Sequence, residues 1–217
     1  MGIRSSPEQA EYSYCYILIP VPTYLERAYQ QSISTPLGRL GAGLNLLDLR
    51  SRHISLGFLT ELNCNDLFRL SDSLRRIEER FIGQEILLNG LGQFDNANGL
   101  VGGTYLPVWD AKTVEEMQDQ VQHVFKKQLE PFPFSERTVP HCTTAKLPAT
   151  PFHQNVYWEK QADVESIHQD ASFTFSVDHL EIRGRNRFAS GKAKHPVRID
   201  YPFEQSREPM RYLRMSA

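Results

Sequence analysis

Apolar positions along this chain switch between solid or alternating runs, the mark of strands, and a period near 3.6, the mark of helices. Residues 14–22 (YCYILIPVP) are aromatic and branched and are stopped by Pro20 and Pro22, so they predict a buried strand. A helix is expected around 24–32, followed by a Gly-rich passage and the apolar stretch LNLLDL. Residues 52–59 (RHISLGFL) predict a short strand closed by Thr60 and Glu61. Leu67, Leu70, Leu74, Ile77 and Phe81 recur at steps of three and four, which predicts a helix over 66–82 with Asn65 as N-cap and Gly83 as its stop. Residues 84–94 read as one strand, hairpinned to 104–110, with Pro107 marking the second as an edge. Thr113 and Glu116 form a capping box for a helix whose stripe is Val114, Met117, Val121, Val124 and Phe125. Residues 141–147 (HCTTAKL) are strand-like. Residues 148–172 are mixed and polar, with room for a short helix near 159–168. A final hairpin is expected from 173–185 and 195–203, with a basic tip between them.

Strands and helices alternate without the regular beat of a doubly wound parallel sheet. The expectation is an α+β chain with antiparallel pairing and helices on the outer faces. No linker divides it, so one domain is expected over 12–204, with a flexible N-terminus (1–11) and a tail (205–217).

Composition narrows the chemistry. The 217 residues carry 24 Lys and Arg against 26 Asp and Glu. That balance argues against a broad duplex-binding surface and leaves room for a local basic pocket. Three cysteines without paired spacing, Cys15, Cys64 and Cys142, read as free thiols in a reducing compartment. No apolar run approaches the ~20 residues of a membrane span, and no apolar signal region opens the sequence. The expectation is a cytoplasmic, monomeric protein with no membrane and no duplex DNA partner.

An internal echo carries the candidate chemistry. HISLGFL (53–59) and HCTTAKL (141–147) share the pattern His-x-(Ser/Thr)-x-x-x-Leu. Strand side chains alternate faces, so His53 shares a face with Ser55, and His141 with Thr143, while Ile54 and Cys142 point behind. Two such strands side by side would turn two imidazoles and two hydroxyls into one cleft. Cleaving a phosphodiester without a metal needs a base for the nucleophile and an acid for the leaving oxygen. Histidine can serve as either near neutral pH, and hydroxyl donors stabilise charge on the non-bridging oxygens.

Two His-x-(Ser/Thr) motifs in an α+β chain of this length resemble the 2H phosphoesterase superfamily. That group includes 2′–5′ RNA ligase-like cyclic phosphodiesterases and viral enzymes that degrade 2′–5′ oligoadenylate. The opening strand YCYILIPVP and the closing FSVDHLEIRGR…VRIDYPF frame fit it too, so the resemblance spans 12–204. It implies two pseudo-symmetric lobes around an active-site cleft, and no metal or other cofactor. It implies that His53 protonates the leaving oxygen, that His141 activates water, and that Ser55 and Thr143 bind the phosphate. The implied substrate is a 2′,3′-cyclic or 2′–5′-linked nucleotide or short RNA. The alternatives are an RNA 3′-end exonuclease leaving cyclic phosphate ends, and a non-catalytic nucleotide- or RNA-binding module.

Other residues read as structural. His123, His153, His168, His179 and His195 are expected on surfaces or loops; His179 reads as a strand residue that could reach the cleft, with a structural role as the default. Arg183, Arg185, Arg187, Lys192 and Lys194 read as a solvated loop, with a phosphate-steering rim as the functional alternative. Tyr14 and Tyr16 read as core aromatics, with base stacking as the alternative. Cys142 points away from His141 and is no nucleophile. Two histidines without a nearby acid or thiol make no zinc site.

Overall fold

The computed structural model describes residues 12–48, 51–62, 64–96, 98–128, 139–186 and 197–199. The N-terminal and C-terminal segments, Arg187, Lys192, Lys194 and His195 lie outside them.

The chain enters as strand β1 (Tyr12–Pro20). A 3-10 turn (Thr23–Leu25), helix α1 (Glu26–Tyr29), a π-helical turn (Gln30–Ser34) and helix α2 (Thr35–Leu40) follow without a break, longer than the single helix expected. Strands β2 (Asn45–Leu46) and β3 (His53–Leu62) lead to helix α3 (Cys64–Phe81). Strands β4 (Glu85–Asn89), β5 (Gly92–Asp95) and β6 (Val101–Pro107) precede helix α4 (Lys112–Gln128) and strand β7 (His141–Lys146). Helices α5 (Pro151–Glu159) and α6 (Gln161–Gln169) and strands β8 (Ser172–Ser176), β9 (Glu181–Asn186) and β10 (Val197–Ile199) complete the order.

The main sheet runs β10-β9-β1-β3-β7-β6-β5, with β2 also on β7, and every recorded pair is antiparallel. It divides into two lobes. One is β10-β9-β1-β3 and the other is β7-β6-β5 with β2, and the recorded partner pair that joins them is Ile54↔Cys142. β4 and β8 pair separately. The α+β architecture with two lobes thus stands as expected.

The helical stripes do what their periodicity demands. Leu67, Leu70, Leu74, Ile77 and Phe81 of α3 and Val114, Met117, Val121 and Phe125 of α4 are all buried. The two helices pack on each other, and α4 also packs on β3. Burial of each such side chain is worth about 1.5–3 kcal/mol. Gly83 ends α3 in the left-handed region, at φ 83°.

Four expectations are corrected. Residues 84–94 are two strands, because Gly90 turns the chain at φ 89°; β4 goes to β8, and β5 alone hairpins with β6. Residues 173–185 likewise split, β8 joining β4 and β9 joining β1. Pro107 is not on an edge strand, since β6 lies between β5 and β7; the proline closes the strand opposite His141. Thr113 does not open α4, which begins a residue earlier, where the Lys112 N–H reaches the Asp110 carboxylate at 3.4 Å.

Candidate active site

β3 and β7 meet at the seam between the lobes. With Ile54 opposite Cys142 in an antiparallel ladder, one step either way sets His53 opposite Thr143 and Ser55 opposite His141. Ile54 and Cys142 are buried on the far side. The two motifs therefore interleave on one face, each histidine facing the other motif's hydroxyl. The histidines stand on a diagonal, where residues are roughly 7–8 Å apart, a span that lets two imidazoles bracket one phosphorus atom. Both are half-buried, and the charge of His141 is felt at His53.

The two imidazoles are locked in the same way. His53 Nδ1–H donates to the Ser51 carbonyl at 2.8 Å, and His141 Nδ1–H donates to the Val139 carbonyl at 2.6 Å. A carbonyl only accepts, so the proton of the neutral ring sits on Nδ1 in both, and Nε2 is the nitrogen left for chemistry. A tyrosine from the neighbouring strand leans on each ring: Tyr16 at 6.2 Å and Tyr105 at 4.6 Å between centroids, both tilted by 44°.

The strands that flank the motifs repeat as well. Pro20 lies opposite His53 and Pro107 opposite His141. Past each proline, the Val21 N–H donates to the Arg52 carbonyl at 3.4 Å, and the Val108 N–H donates to the Pro140 carbonyl at 3.1 Å. The sequence signal for this is a second echo, Ile19-Pro20-Val21 against Leu106-Pro107-Val108, which pattern reading for strands and edges passes over.

The surroundings differ. On the His53 side, β9 brings Glu181 opposite Leu18 and Arg183 opposite Tyr16. Arg183 Nε and Nη2 both donate to Glu181 Oε2 at 2.8 Å, and His179 Nε2 lies 3.4 Å from Glu181 Oε1. Arg183 is thus a held, largely buried cation beside the cleft rather than part of a solvated loop, its side chain 17% exposed. Desolvation by burial pushes the His53 imidazole below its ordinary value; the Ser51 hydrogen bond opposes this, and the charges of Arg183 and His141 add to it. Tyr16 lies on this face and not in the core, in ring contact with Phe58 at 5.1 Å.

Behind the seam lies a polar layer that sequence reading missed. The Arg52 guanidinium sits 3.2 Å from the centre of the Tyr29 ring and donates to the Leu47 carbonyl at 2.7 Å. His168 is fully buried, contrary to the surface position expected, because α6 turns it inward with Val164. Its Nδ1–H donates to the Val164 carbonyl at 2.8 Å, so Nε2 accepts from the Thr144 hydroxyl at 3.1 Å. Burial pushes its imidazole down too. Cys142 is buried in this layer with its thiol pushed up to about 12, which fits its exclusion as a nucleophile. Among the described residues no group of three or more His, Cys, Asp or Glu could hold a metal ion, and no helix is long and apolar enough to cross a membrane.

No protein-family model and no curated protein matches the sequence. Solved structures do. TT0787 of Thermus thermophilus aligns with TM-score 0.55 at 16% identity, over 86% of this chain and 93% of that one. E. coli LigT complexed with NADP+ gives TM-score 0.54 at 14% identity, over 88% and 96%. LigT complexed with 3′-AMP gives TM-score 0.54 at 12% identity, over 88% and 97%. These proteins belong to the 2H phosphoesterase superfamily, and the two-lobed sheet described above is the 2H phosphoesterase fold.

Proposed function

We propose that this chain is a metal-independent phosphodiesterase that opens a 2′,3′-cyclic phosphate or cuts a 2′–5′ bond in a nucleotide or short RNA. The carrying observation is the seam: two imidazoles with the same Nδ1–carbonyl lock, interleaved with Ser55 and Thr143 on one face. LigT, which shares the fold, is known in complexes with 3′-AMP and ATP, which supports a nucleotide ligand for this cleft.

In ring opening, His141 Nε2 takes a proton from water as it attacks phosphorus, and His53 Nε2–H protonates the departing ribose oxygen. Ser55 and Thr143 donate to the non-bridging oxygens as charge grows there, and Arg183 draws the anion toward the His53 side. The acid role requires His53 to be charged, whereas burial favours its neutral form. A phosphate anion in the cleft offsets that preference by attraction. The neutral resting state favours the companion reading, cleavage of a chain with a cyclic phosphate as first product, since His53 then begins as the base.

The test is a panel of 2′,3′-cyclic mononucleotides, 2′–5′ oligoadenylate and a 3′-hydroxyl oligonucleotide, with excess chelator present and products resolved as 2′- or 3′-phosphate. Turnover of the first two is expected. Tight binding with no product would make the chain a binding module, and loss of turnover with chelator would overturn the metal-independent mechanism.

A further inference from the structure

The two histidine locks are alike in geometry and unlike in construction. In each, the carbonyl that takes the Nδ1–H belongs to the residue two before the histidine, in the peptides Ser51–Arg52 and Val139–Pro140. In each, the next carbonyl takes an N–H from the facing strand, Val21 on Arg52 and Val108 on Pro140. The residue between those two carbonyls therefore decides how the first is aimed. At the His141 motif it is a proline. Its ring fixes φ and holds the residue before it extended, so the Val139–Pro140 peptide is set covalently.

Arg52 has no such ring, and its backbone is restricted only by ordinary sterics. Its side chain supplies the anchor instead. Arg52 is 3% exposed, with its guanidinium 3.2 Å from the centre of the Tyr29 ring. Nη2 donates to the Leu47 carbonyl at 2.7 Å and to the Ser34 hydroxyl at 3.3 Å. Leu47 is fixed in turn, because its N–H donates to the Thr144 carbonyl at 3.1 Å beside the β2–β7 pairs. The Ser51 N–H donates to the Asp48 carboxylate at 2.8 Å and to the Asp48 carbonyl at 3.2 Å. Arg52 is thus held by its side chain and its carbonyl, and Ser51 by its N–H. The peptide between them is left little freedom to turn. Arg52 Nε and Nη1 find no partner among the described residues, and a buried cation with unmet donors is a poor device for stability alone.

We propose that Arg52 is a positioning residue for His53: it holds the Ser51–Arg52 peptide so that its carbonyl meets Nδ1, the task the Pro140 ring performs for His141. The consequence for catalysis rests on the phosphodiesterase reading; the lock itself is readable without substrate. A His53 released from the Ser51 carbonyl is free to carry its neutral proton on Nε2. That form offers no lone pair toward the cleft, and a ring free to turn misplaces the nitrogen that must reach the reacting oxygen.

The experiment records histidine ring ¹⁵N spectra of wild type, Arg52→Met and Arg52→Lys above the ordinary imidazole value of about 6.5, with kinetics on adenosine 2′,3′-cyclic phosphate alongside. In wild type both histidines should carry the proton on Nδ1. In Arg52→Met, His53 should move toward the Nε2–H form while His141 stays as it was. kcat should fall on the order of tenfold to a hundredfold with KM nearly unchanged. Arg52→Lys, which keeps a donor for the Leu47 carbonyl, should recover part of both. An unchanged His53 tautomer in Arg52→Met would overturn the proposal, whatever the rate does. An equal change at His141 would overturn it too, since that marks general loosening. Should Arg52→Met fail to fold, Arg52→Gln is read by the same rule. Wild type that turns over no substrate, yet shows the selective His53 change on substitution, would refute the enzyme and keep the positioning role.

Discussion

His53 and His141 hold the same backbone bond and stand in opposite neighbourhoods. Glu181, Arg183 and Tyr16 crowd the first, while Val139, whose carbonyl holds the second, is exposed. A near-symmetric scaffold places two like side chains with matched geometry, and burial then acts on His53 to lower its proton affinity. Acid and base assignments follow from such environments, not from residue type. The polar layer behind the seam does not divide this way: Tyr29 lies against the Arg52 guanidinium and also interacts with Cys142 and Thr144 of the His141 motif.

The largest effect expected is from removing either imidazole. His53→Ala and His141→Ala should each cost about 10²- to 10⁴-fold in kcat, with circular dichroism unchanged. A single variant near wild-type rate would break the pairing.

The pH profile sharpens the comparison next. His53 lies below the ordinary imidazole value of about 6.5. Cyclic phosphate opening needs His53 charged, so its kcat/KM should fall as pH rises through that lowered value. Chain cleavage needs His53 neutral, so its kcat/KM should fall as pH drops through the same value. Profiles of one shape for both substrates would mean that His53 does not exchange roles between them.

Two glycines probe the lobes separately. A Cβ on Gly57 would lie 2.7 Å from the Phe125 ring and 3.0 Å from Val121, so Gly57→Ala should lower stability by about 1–3 kcal/mol. A Cβ on Gly92 would lie 2.0 Å from the Tyr105 ring, which also meets Phe94 and His141. Gly92→Ala should therefore cost kcat, up to about 10²-fold by displacement of the ring. Thermal melts with paired kinetics read the contrast, and matching effects from the two substitutions would erase it.

The smallest effect belongs to His168. Its folded value is depressed, so its contribution is present above about pH 6.5 and is lost as pH falls toward the lowered value. The urea midpoint should drop over that window, and the drop should be shallower in His168→Gln. A wild-type midpoint that stays flat down to pH 5 would remove His168 from the account.

The long helices and both motif strands were legible because one face of each is buried and their periods are clean. Residues 84–94 were not, since two strands around Gly90 look alike when their partners, β8 and β6, are distant in sequence. His168 escaped notice because QADVESIHQ is polar and offers only Val164 and Ile167 beside it as a stripe. The hydroxyls Ser55 and Thr143 were found by alternation alone, whereas Glu181 and Arg183 come to the cleft through strand order, which no local pattern encodes.

The carbonyl lock on each Nδ1 has a consequence for turnover. Each Nδ1 faces a carbonyl, which takes no proton, so neither ring hands one on through that nitrogen. Each loses and regains it only through Nε2, from the reactants themselves. Chain cleavage followed by ring opening swaps the two protonation states and then swaps them back, so the pair returns to its starting condition without drawing on buffer.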